Sequence, residues 1–276
     1  MAEVSIIEVD TITKLDAGHA GQVVIAASHG GVYAGYCAAR GKVRAVILND
    51  AGVGLDSAGL GSLAYLQGLG IAAATARHTS CRIGDGADMR ANGVISHLNA
   101  LAHALGCRAE EPVSECARKL CNAPLSAIPV PDRGESRYLA RDEPGLPRVV
   151  VMDSLSLVGP QDAGTILIAA SHGALLGVRK EMALDVDVLA AAFSDAGIGK
   201  DSAGISRLAA LDGRKIAAVT ASASSARIGD GKSLHEQGIV SFFNLTAASI
   251  GVREGMTVRE FVDQVTRHAL SPGPRA

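Results

Sequence analysis

One stretch of this chain occurs twice, and it limits what the chain can fold into. Asn49-Asp-Ala-Gly-Val-Gly-Leu-Asp-Ser-Ala-Gly59 returns as Ser194-Asp-Ala-Gly-Ile-Gly-Lys-Asp-Ser-Ala-Gly204. Glycine, aspartate and serine keep the same offsets in both copies, which indicates a demand of backbone geometry or of chemistry. The flanking sequence aligns as well, with a single two-residue insertion. We therefore interpret the chain as an internal duplication with pseudo-two-fold symmetric halves.

Each half alternates strand and helix patterns. Residues 23–27 and 166–170 are continuously apolar, which is typical of strands buried on both faces of a parallel sheet. Further strands are predicted at residues 43–48, 71–76, 186–193 and 216–221. The pattern predicts an α/β fold with a mostly parallel sheet, or two such sheets, flanked by helices. One continuous sheet would turn both sets of loops toward one crevice, whereas two sheets would give two sites.

Several helices are predicted from the same alignment. A helical segment is expected after Gly30 and after Gly173, and Asp56 and Asp201 are expected to cap the helices that follow them. Each half is then expected to contain one longer helix through the pairs Gly93/Gly238, Ser96/Ser241 and Asn99/Asn244. Closing helices are predicted near residues 113–120 and 258–270, with Pro112 in the first turn of the former.

These patterns divide the chain into four segments. Residues 1–121 form the first repeat and residues 148–270 the second. Residues 122–147 are rich in proline and are predicted to be a linker, and residues 271–276 a tail.

The composition argues against two classes of partner. The net charge is -2, there is no basic run, and the chain has no Trp and only four Tyr and four Phe, so a nucleic-acid partner is not expected. A membrane partner is not expected either, because acids stand where a signal peptide is basic and no apolar run reaches about 20 residues. A homo-oligomer is left open.

All five cysteines lie in the first half, and none has a cysteine counterpart in the second. A disulfide framework or a cysteine metal site is therefore not expected, and a reducing cytoplasm is the predicted location.

Three repeated polar motifs follow predicted strands, at the edge where open α/β sheets bind ligands. The first is Ser28-His29-Gly30, repeated as Ser171-His172-Gly173. Adjacent strand side chains point to opposite faces, so a partner for Ser28 is expected from elsewhere, from Asp50 or across the pseudo-two-fold from His172. The alternative is a Ser28 that caps the next helix and a half-buried, hydrogen-bonded His29. The predicted catalytic groups are Ser28, His29, Asp50, Ser171, His172 and Asp195.

The second motif is the repeated stretch of residues 49–59 and 194–204. The third motif contains Arg82 and Arg227, each before a Gly-Asp-Gly turn. A guanidinium in such a loop suits bidentate capture of an anion, although an ion pair with Asp85 that shapes the loop is the alternative. Lys200 replaces Leu55 and is expected to bind an anion or act as a base. The predicted substrate-binding groups are Arg82, Asp85, Arg227, Asp230, Lys200, Ser57 and Ser202.

Two classes of function fit these patterns. The first is an enzyme acting on a small anionic, carboxylate- or amide-bearing metabolite, a hydrolase or lyase with its site between the repeats. The second is a non-catalytic ligand-binding or assembly module. No cofactor is predicted, with a Mg²⁺- or Mn²⁺-dependent enzyme that uses the repeated aspartates Asp50, Asp56 and Asp85 as the alternative.

Overall fold

The computed structural model describes residues 4–177 and 183–271 of the chain. These residues form two similar halves, each with one mixed sheet flanked by helices. The predicted α/β fold is confirmed, and the halves build two sheets instead of one continuous sheet. Their origin by duplication stays an interpretation.

The first half contains a five-stranded sheet in the order β1-β2-β3-β4-β5. Its strands are β1 Ile6–Val9, β2 Val23–His29, β3 Ala45–Asn49, β4 Ala72–Ala76 and β5 Ile95–Leu98. Its helices are α1 Val32–Arg40, α2 Gly61–Gly68, α3 Gly86–Asn92, α4 Ala100–Ala104 and α5 Val113–Leu120. β1 to β4 run parallel, and β5 pairs antiparallel with β4.

The second half contains a six-stranded sheet in the order β11-β10-β9-β8-β7-β6. Its strands are β6 Arg137–Arg141, β7 Val149–Met152, β8 Ile166–His172, β9 Ala190–Ser194, β10 Ala217–Ala221 and β11 Val240–Phe243. Its described helices are α6 Arg207–Asp212, α7 Gly231–Gln237, α8 Leu245–Ser249 and α9 Val258–Leu270. β6 and β11 are antiparallel edge strands around a parallel centre.

Both faces of each sheet are buried, which explains why the central strands are continuously apolar. In β2, Val23 and Ile25 pack with α5 on one face, whereas Val24 and Ala26 pack with α1 and α2 on the other. In the second half, α7, α8 and α9 cover one face, and α6 covers the other. A strand buried on both faces needs apolar side chains at successive positions, not at alternate ones. None of the helices within residues 4–177 and 183–271 has the length and apolar character needed to cross a membrane.

Three local predictions are wrong: the longer helix in each half, the position of Pro112, and the helix caps at Asp56 and Asp201. The longer helix is a short helix, a strand and a second short helix, because Gly93 ends α3 and Asn99 caps α4, with β5 between them. Gly238 and Asn244 divide the second half in the same way. Pro112 lies at the N-cap of α5 and not in its first turn.

Asp56 and Asp201 do not cap helices, because both have left-handed backbone angles inside 3-10 segments. The segment predicted as a linker contains β6, which extends the second sheet at its β7 edge. The helical segment expected after Gly173 falls partly on residues 178–182, and most of the tail on residues 272–276; both lie outside the described residues.

The two copies of the repeated stretch, residues 49–59 and 194–204, meet each other and are called the interface loops below. The backbone N–H of Leu55 donates to the Ala223 carbonyl at 2.8 Å, and that of Lys200 donates to the His78 carbonyl at 2.9 Å. Because Leu55 and Lys200 are aligned positions, these bonds are related by the pseudo-two-fold. The interface loops therefore join the halves through their own backbones.

The interface loops have an unusual backbone conformation. Positive φ angles occur at Ala51, Gly52, Val53, Gly54, Asp56 and Ser57, and at Ala196, Gly197, Ile198, Gly199, Asp201 and Ser202. A left-handed conformation costs a non-glycine residue roughly 1–2 kcal/mol. The surrounding structure must hold these residues in place, which accounts for the preservation of the stretch in both halves.

Gly52 and Gly197 lie back to back at the centre of this contact. A Cβ atom on Gly52 would lie 2.7 Å from the Cα of Gly197, and a Cβ on Gly197 would lie 2.7 Å from the Cα of Gly52. The two loops can approach this closely only because neither residue has a side chain.

We expect Gly52→Ala to destabilise the protein more than the matched variant Gly164→Ala. Gly164 has a similar φ of +70°, compared with +75° at Gly52, but no heavy atom lies within 4 Å of its added Cβ. The control should lose about 1–2 kcal/mol from backbone strain. Gly52→Ala should lose a further 1–3 kcal/mol or so from the clash. Urea denaturation measures both, and equal losses would show that the glycine contact does not hold the halves together.

Candidate functional site

The carboxyl ends of β2 and β8 face a common crevice between the halves, although the halves form separate sheets. Its narrowest part is a cavity of about 60 Å³ that both Ser-His-Gly motifs line. The lining residues are Thr11, Ile12, Thr13, Ser28, His29, Tyr33, Ala34, Glu135, Asp153, Ser154, Ser171, His172 and Gly229. The expectation that two sheets would give two separate sites is therefore wrong for the Ser-His-Gly motifs.

Ser28 and Ser171 hold the loops that follow β1 and β7. Ser28 Oγ accepts a hydrogen bond from the Ile12 N–H at 2.9 Å, and Ser171 Oγ accepts one from the Leu155 N–H at the same distance. Ser28 is therefore not the helix cap that sequence reasoning considered. Ser28 Oγ also donates to Thr11 Oγ1 at 3.5 Å, whereas the hydroxyl proton of Ser171 has no acceptor among the residues that the structure describes.

The two imidazoles are fixed in matching orientations by their own turns. His29 Nδ1 accepts from the Gly31 N–H at 3.2 Å, and His172 Nδ1 accepts from the Ala174 N–H at 3.3 Å. An acceptor Nδ1 places the proton of a neutral imidazole on Nε2. Neither Nε2 has a hydrogen-bond partner among residues 4–177 and 183–271. Two neutral imidazoles with unpartnered N–H groups therefore line the cavity.

Burial keeps both histidines neutral at physiological pH. It lowers the pKa of His29 from 6.5 to about 4. Burial lowers the pKa of His172 to about 3, with additional repulsion from Arg207 and from His29. The influence of His29 on His172 agrees with their position in one cavity.

The imidazoles also cross the interface between the halves. A Cβ on Gly229 would lie 3.2 Å from His29 Cε1, and a Cβ on Gly84 would lie 3.6 Å from His172 Cε1. Gly84 and Gly229 are aligned glycines of the third repeated motif. Each half thus supplies a glycine that accommodates the histidine of the other half.

Asp50 and Asp195 lie apart from these groups and shape the interface loops. Asp50 Oδ1 accepts from the backbone N–H groups of Gly52 at 3.2 Å and His78 at 2.9 Å, and Asp195 makes the equivalent bonds to Gly197 and Ala223. Burial tends to raise the pKa of Asp50, but hydrogen bonds from His78 outweigh it and hold the pKa low. Neither aspartate hydrogen-bonds to Ser28, His29, Ser171 or His172, so the expected Ser-His-Asp arrangement is not formed.

The predicted anion clamps make ion pairs between the halves. Arg82 Nη1 donates to Asp201 Oδ2 at 3.0 Å, and Arg227 Nη1 donates to Asp56 Oδ2 at 2.8 Å. Arg82 also contacts Asp85 at 2.9 Å and Asp88 at 3.1 Å, so carboxylates surround its guanidinium. An arginine already paired with three carboxylates is a poor clamp for an anionic substrate, and the competing ion-pair interpretation fits Arg82 better.

The other predicted binding residues are also placed at this interface. Asp85 and Asp230 cap α3 and α7, and Lys200 Nζ donates to Asp88 Oδ1 at 2.8 Å. Ser57 lines a pocket of about 510 Å³ that His29 also lines, and Ser202 is the residue aligned with Ser57 in the second half. Lys200 is therefore engaged with Asp88 and not with the shared cavity.

Glu135 and Tyr33 line the shared cavity and were missed by sequence reasoning. Burial raises the pKa of the Glu135 carboxyl group, although the Ser156 hydroxyl donates to it at 3.0 Å. Burial and the nearby Glu135 raise the pKa of Tyr33 to about 12. Glu135 has no aligned counterpart, because it lies in the segment predicted as a linker, and nothing in the repeat pattern indicated it.

Two larger pockets share lining residues with this cavity. Beyond His29, a pocket of about 510 Å³ reaches Arg133, Arg227 and Lys232. Beyond His172, a pocket of about 220 Å³ reaches Lys14 and Arg207.

Arg207 is 4% exposed and donates to the Ala174 carbonyl at 2.6 Å, with its guanidinium 5.3 Å from the Phe193 ring centroid. Burial lowers its pKa to about 10, so it stays charged at neutral pH. Its aligned residue is the small Ser62, which makes this side of the crevice different from the other.

The repeated aspartates do not converge on a common point. Within residues 4–177 and 183–271, one group of three or more potential metal ligands has its ligand atoms within 4.8 Å of one another, and it consists of Cys107, Glu111 and Cys116.

Comparisons with models of protein families, with curated proteins and with solved structures find no match to this chain.

We expect acidification to destabilise the protein through His29 and His172. The unfolded chain protonates its histidines near 6.5, whereas the folded chain keeps them neutral down to about 4 and 3. Unfolding therefore takes up protons in this window, and stability falls with decreasing pH by up to about 1.4 kcal/mol per pH unit for each histidine.

The comparison that checks this is urea denaturation at pH 7 and pH 4.5. The double variant His29→Asn and His172→Asn retains an acceptor for the turn but cannot titrate, so it should lose less stability than the unmodified chain. His103→Asn, at an exposed position of α4, is the control and should behave like the unmodified chain. Identical losses in all three proteins would mean that the two imidazoles are not buried as neutral groups.

Proposed function

We propose that the crevice is the active site of an enzyme that acts on a small carboxylate- or amide-bearing metabolite, and that its chemistry is that of a lyase. The observation that carries this proposal is that two neutral imidazoles with unpartnered Nε2–H groups line one cavity together with a half-buried carboxyl group. Donors held in place before the reaction stabilise charge that develops on a substrate oxygen without reorganising.

His29 and His172 act in this proposal as neutral hydrogen-bond donors. An elimination next to a carbonyl or carboxylate group places negative charge on oxygen as the neighbouring carbon loses its proton. A neutral imidazole suits that charge, because its N–H donates without requiring a protonated ring. The hydroxyl proton of Ser171 is a further donor among the residues that line this cavity.

Glu135 is the proposed base. Burial raises the pKa of Glu135 toward neutral pH, and a base transfers protons most effectively when its pKa is near the working pH. Glu135 takes the proton from the carbon atom, the electron pair forms the new double bond, and the leaving group departs from the adjacent carbon. The protonated Glu135 then returns its proton to the leaving group.

A serine hydrolase is a weaker interpretation of the same residues. A serine nucleophile needs a neighbouring base with a free lone pair. In both histidines the lone pair of Nδ1 is engaged by a backbone N–H, and Nε2 carries the proton. The lyase proposal uses the imidazoles in the protonation state that these bonds impose.

The charged groups around the crevice favour an anionic substrate. The shared cavity of about 60 Å³ holds only the reacting atoms, so the rest of the substrate must extend into a neighbouring pocket. The pocket beyond His172 contains two cations, Arg207 and Lys14, and one carboxylate, Asp185, so its charged groups leave a net positive charge that favours an anion. We therefore place the anionic group of the substrate there.

The first experiment is a thermal-stability screen with small dicarboxylates, sugar acids and cyclic amides. A ligand that binds the folded chain raises its apparent melting temperature by mass action. The stabilisation should disappear in the double variant His29→Asn and His172→Asn and persist in His103→Asn. If a compound stabilises all three proteins equally, it binds elsewhere, and the crevice loses its proposed role.

Once a substrate is known, we expect Glu135→Gln to lower kcat by about 10²–10⁴-fold with a small change in KM, because the variant keeps the shape of the side chain but removes the base. Glu143→Gln is the control, since Glu143 is an exposed carboxylate of the same segment. Steady-state kinetics measures both. A Glu135→Gln enzyme with the kcat of the control would contradict the assignment.

A further inference from the structure

One cluster of potential metal ligands lies on the face of the first sheet that α5 covers, and it consists of Cys107, Glu111 and Cys116. Cys107 follows α4, Glu111 immediately precedes the N-cap of α5, and Cys116 lies within α5. One potential ligand atom from each lies within 4.8 Å of the other two. Both cysteine side chains are completely buried. This group lies apart from the crevice and has no part in the chemistry proposed for it.

The second half shows what the fold itself requires at these positions. The residues aligned with Cys107, Glu111 and Cys116 are Val252, Met256 and Phe261, and all three pack in the apolar core of the second half. The α/β unit is therefore complete with apolar side chains at these three places. Three residues with metal-binding side chains replace them together in the first half, where the same helix packs on the same face of the sheet.

Glu111 has one carboxylate oxygen engaged and one without a partner. Lys119 Nζ donates to Oε2, whereas Oε1 is buried and accepts no hydrogen bond. The Glu111 side chain is only 11% exposed. A buried acceptor without a partner is destabilising, more so when it is charged, and a bound cation would remove that penalty.

We propose that Cys107 Sγ, Cys116 Sγ and Glu111 Oε1 bind a zinc ion. Two thiolates and a carboxylate form a ligand set that Zn²⁺ accepts in tetrahedral geometry, and three protein ligands leave the fourth position to a small non-protein ligand. Mg²⁺ and Ca²⁺ prefer oxygen ligands only, so the thiolates select against them.

The charges of the group balance when the zinc ion is bound. Two thiolates and the carboxylate carry three negative charges, which Zn²⁺ and the Lys119 ammonium neutralise. Lys119 Nζ also donates to the Gly106 carbonyl at 2.9 Å, so it connects Glu111 to the loop that leads to Cys107. Such outer partners orient metal ligands and affect metal affinity. Because cysteine binds zinc as the thiolate, zinc binding releases protons and strengthens as the pH rises.

The test is a titration of the full, reduced chain with Zn²⁺ in competition with a chromophoric chelator. We expect one zinc ion per chain and a higher melting temperature when it is bound. Cys107→Val and Glu111→Met introduce the aligned residues of the second half, and both should remove binding. Cys37→Ala, a half-buried cysteine of α1, should leave it unchanged.

Lys119→Met retains all three ligands and should weaken zinc binding by about 10–100-fold, which keeps the proposal testable if a ligand variant fails to fold. Replacing zinc with Co²⁺ should give a thiolate-to-cobalt charge-transfer band that Cys107→Val lacks. The proposal is overturned if the reduced chain binds no Zn²⁺, or if Cys107→Val and Glu111→Met bind it as tightly as Cys37→Ala. A Cys107–Cys116 disulfide that resists chemical reduction would overturn the proposal as well.

Discussion

The contact between Gly52 and Gly197 is the constraint on which the rest of the structure depends. Two side-chain-free backbones meet there, and each interface loop then keeps a run of left-handed residues to reach the other half. The reciprocal backbone bonds of Leu55 and Lys200 follow from this approach. So does the crevice, because the same closeness brings His29 and His172 into one cavity. The repeated polar motifs therefore serve mainly to join the halves.

Chemistry enters where the two halves differ. Glu135 comes from a segment that occurs once, and Arg207 stands where the first half has Ser62. Cys107 and its two neighbours replace apolar residues in the first half alone. In the function that we propose, the symmetric scaffold supplies paired donors, and single unmatched residues supply the base and a cation; the proposed metal ligands are also unmatched. Positions that the two halves share thus supply the scaffold and the proposed imidazole donors, whereas the proposed base lies at a position that occurs once.

The sequence predicted the central strands because a strand such as β2 is buried on both faces, and burial leaves a continuous apolar run. It did not predict β5, because a four-residue edge strand is shorter than the window in which periodicity is visible. The repeat indicated His29 and the glycines as candidates. It also indicated Asp50 and Arg82, but these residues make contacts at the interface between the halves, which explains why both copies contain them. Glu135 was hidden, because proline-rich composition indicates a linker and only tertiary pairing of β6 shows where that segment lies.

The proposed site depends on two neutral imidazoles that line one cavity with unpartnered Nε2–H groups, and ¹⁵N–¹H correlation spectra of the histidine side chains report their tautomers. Each imidazole has a distinct pattern for the Nε2–H tautomer, the Nδ1–H tautomer and the protonated ring. We expect His29 and His172 to show the Nε2–H pattern at pH 7 and to keep it at pH 5, because burial lowers their pKa values to about 4 and about 3. A protonated ring at pH 5, or the Nδ1–H tautomer in either residue, would contradict it.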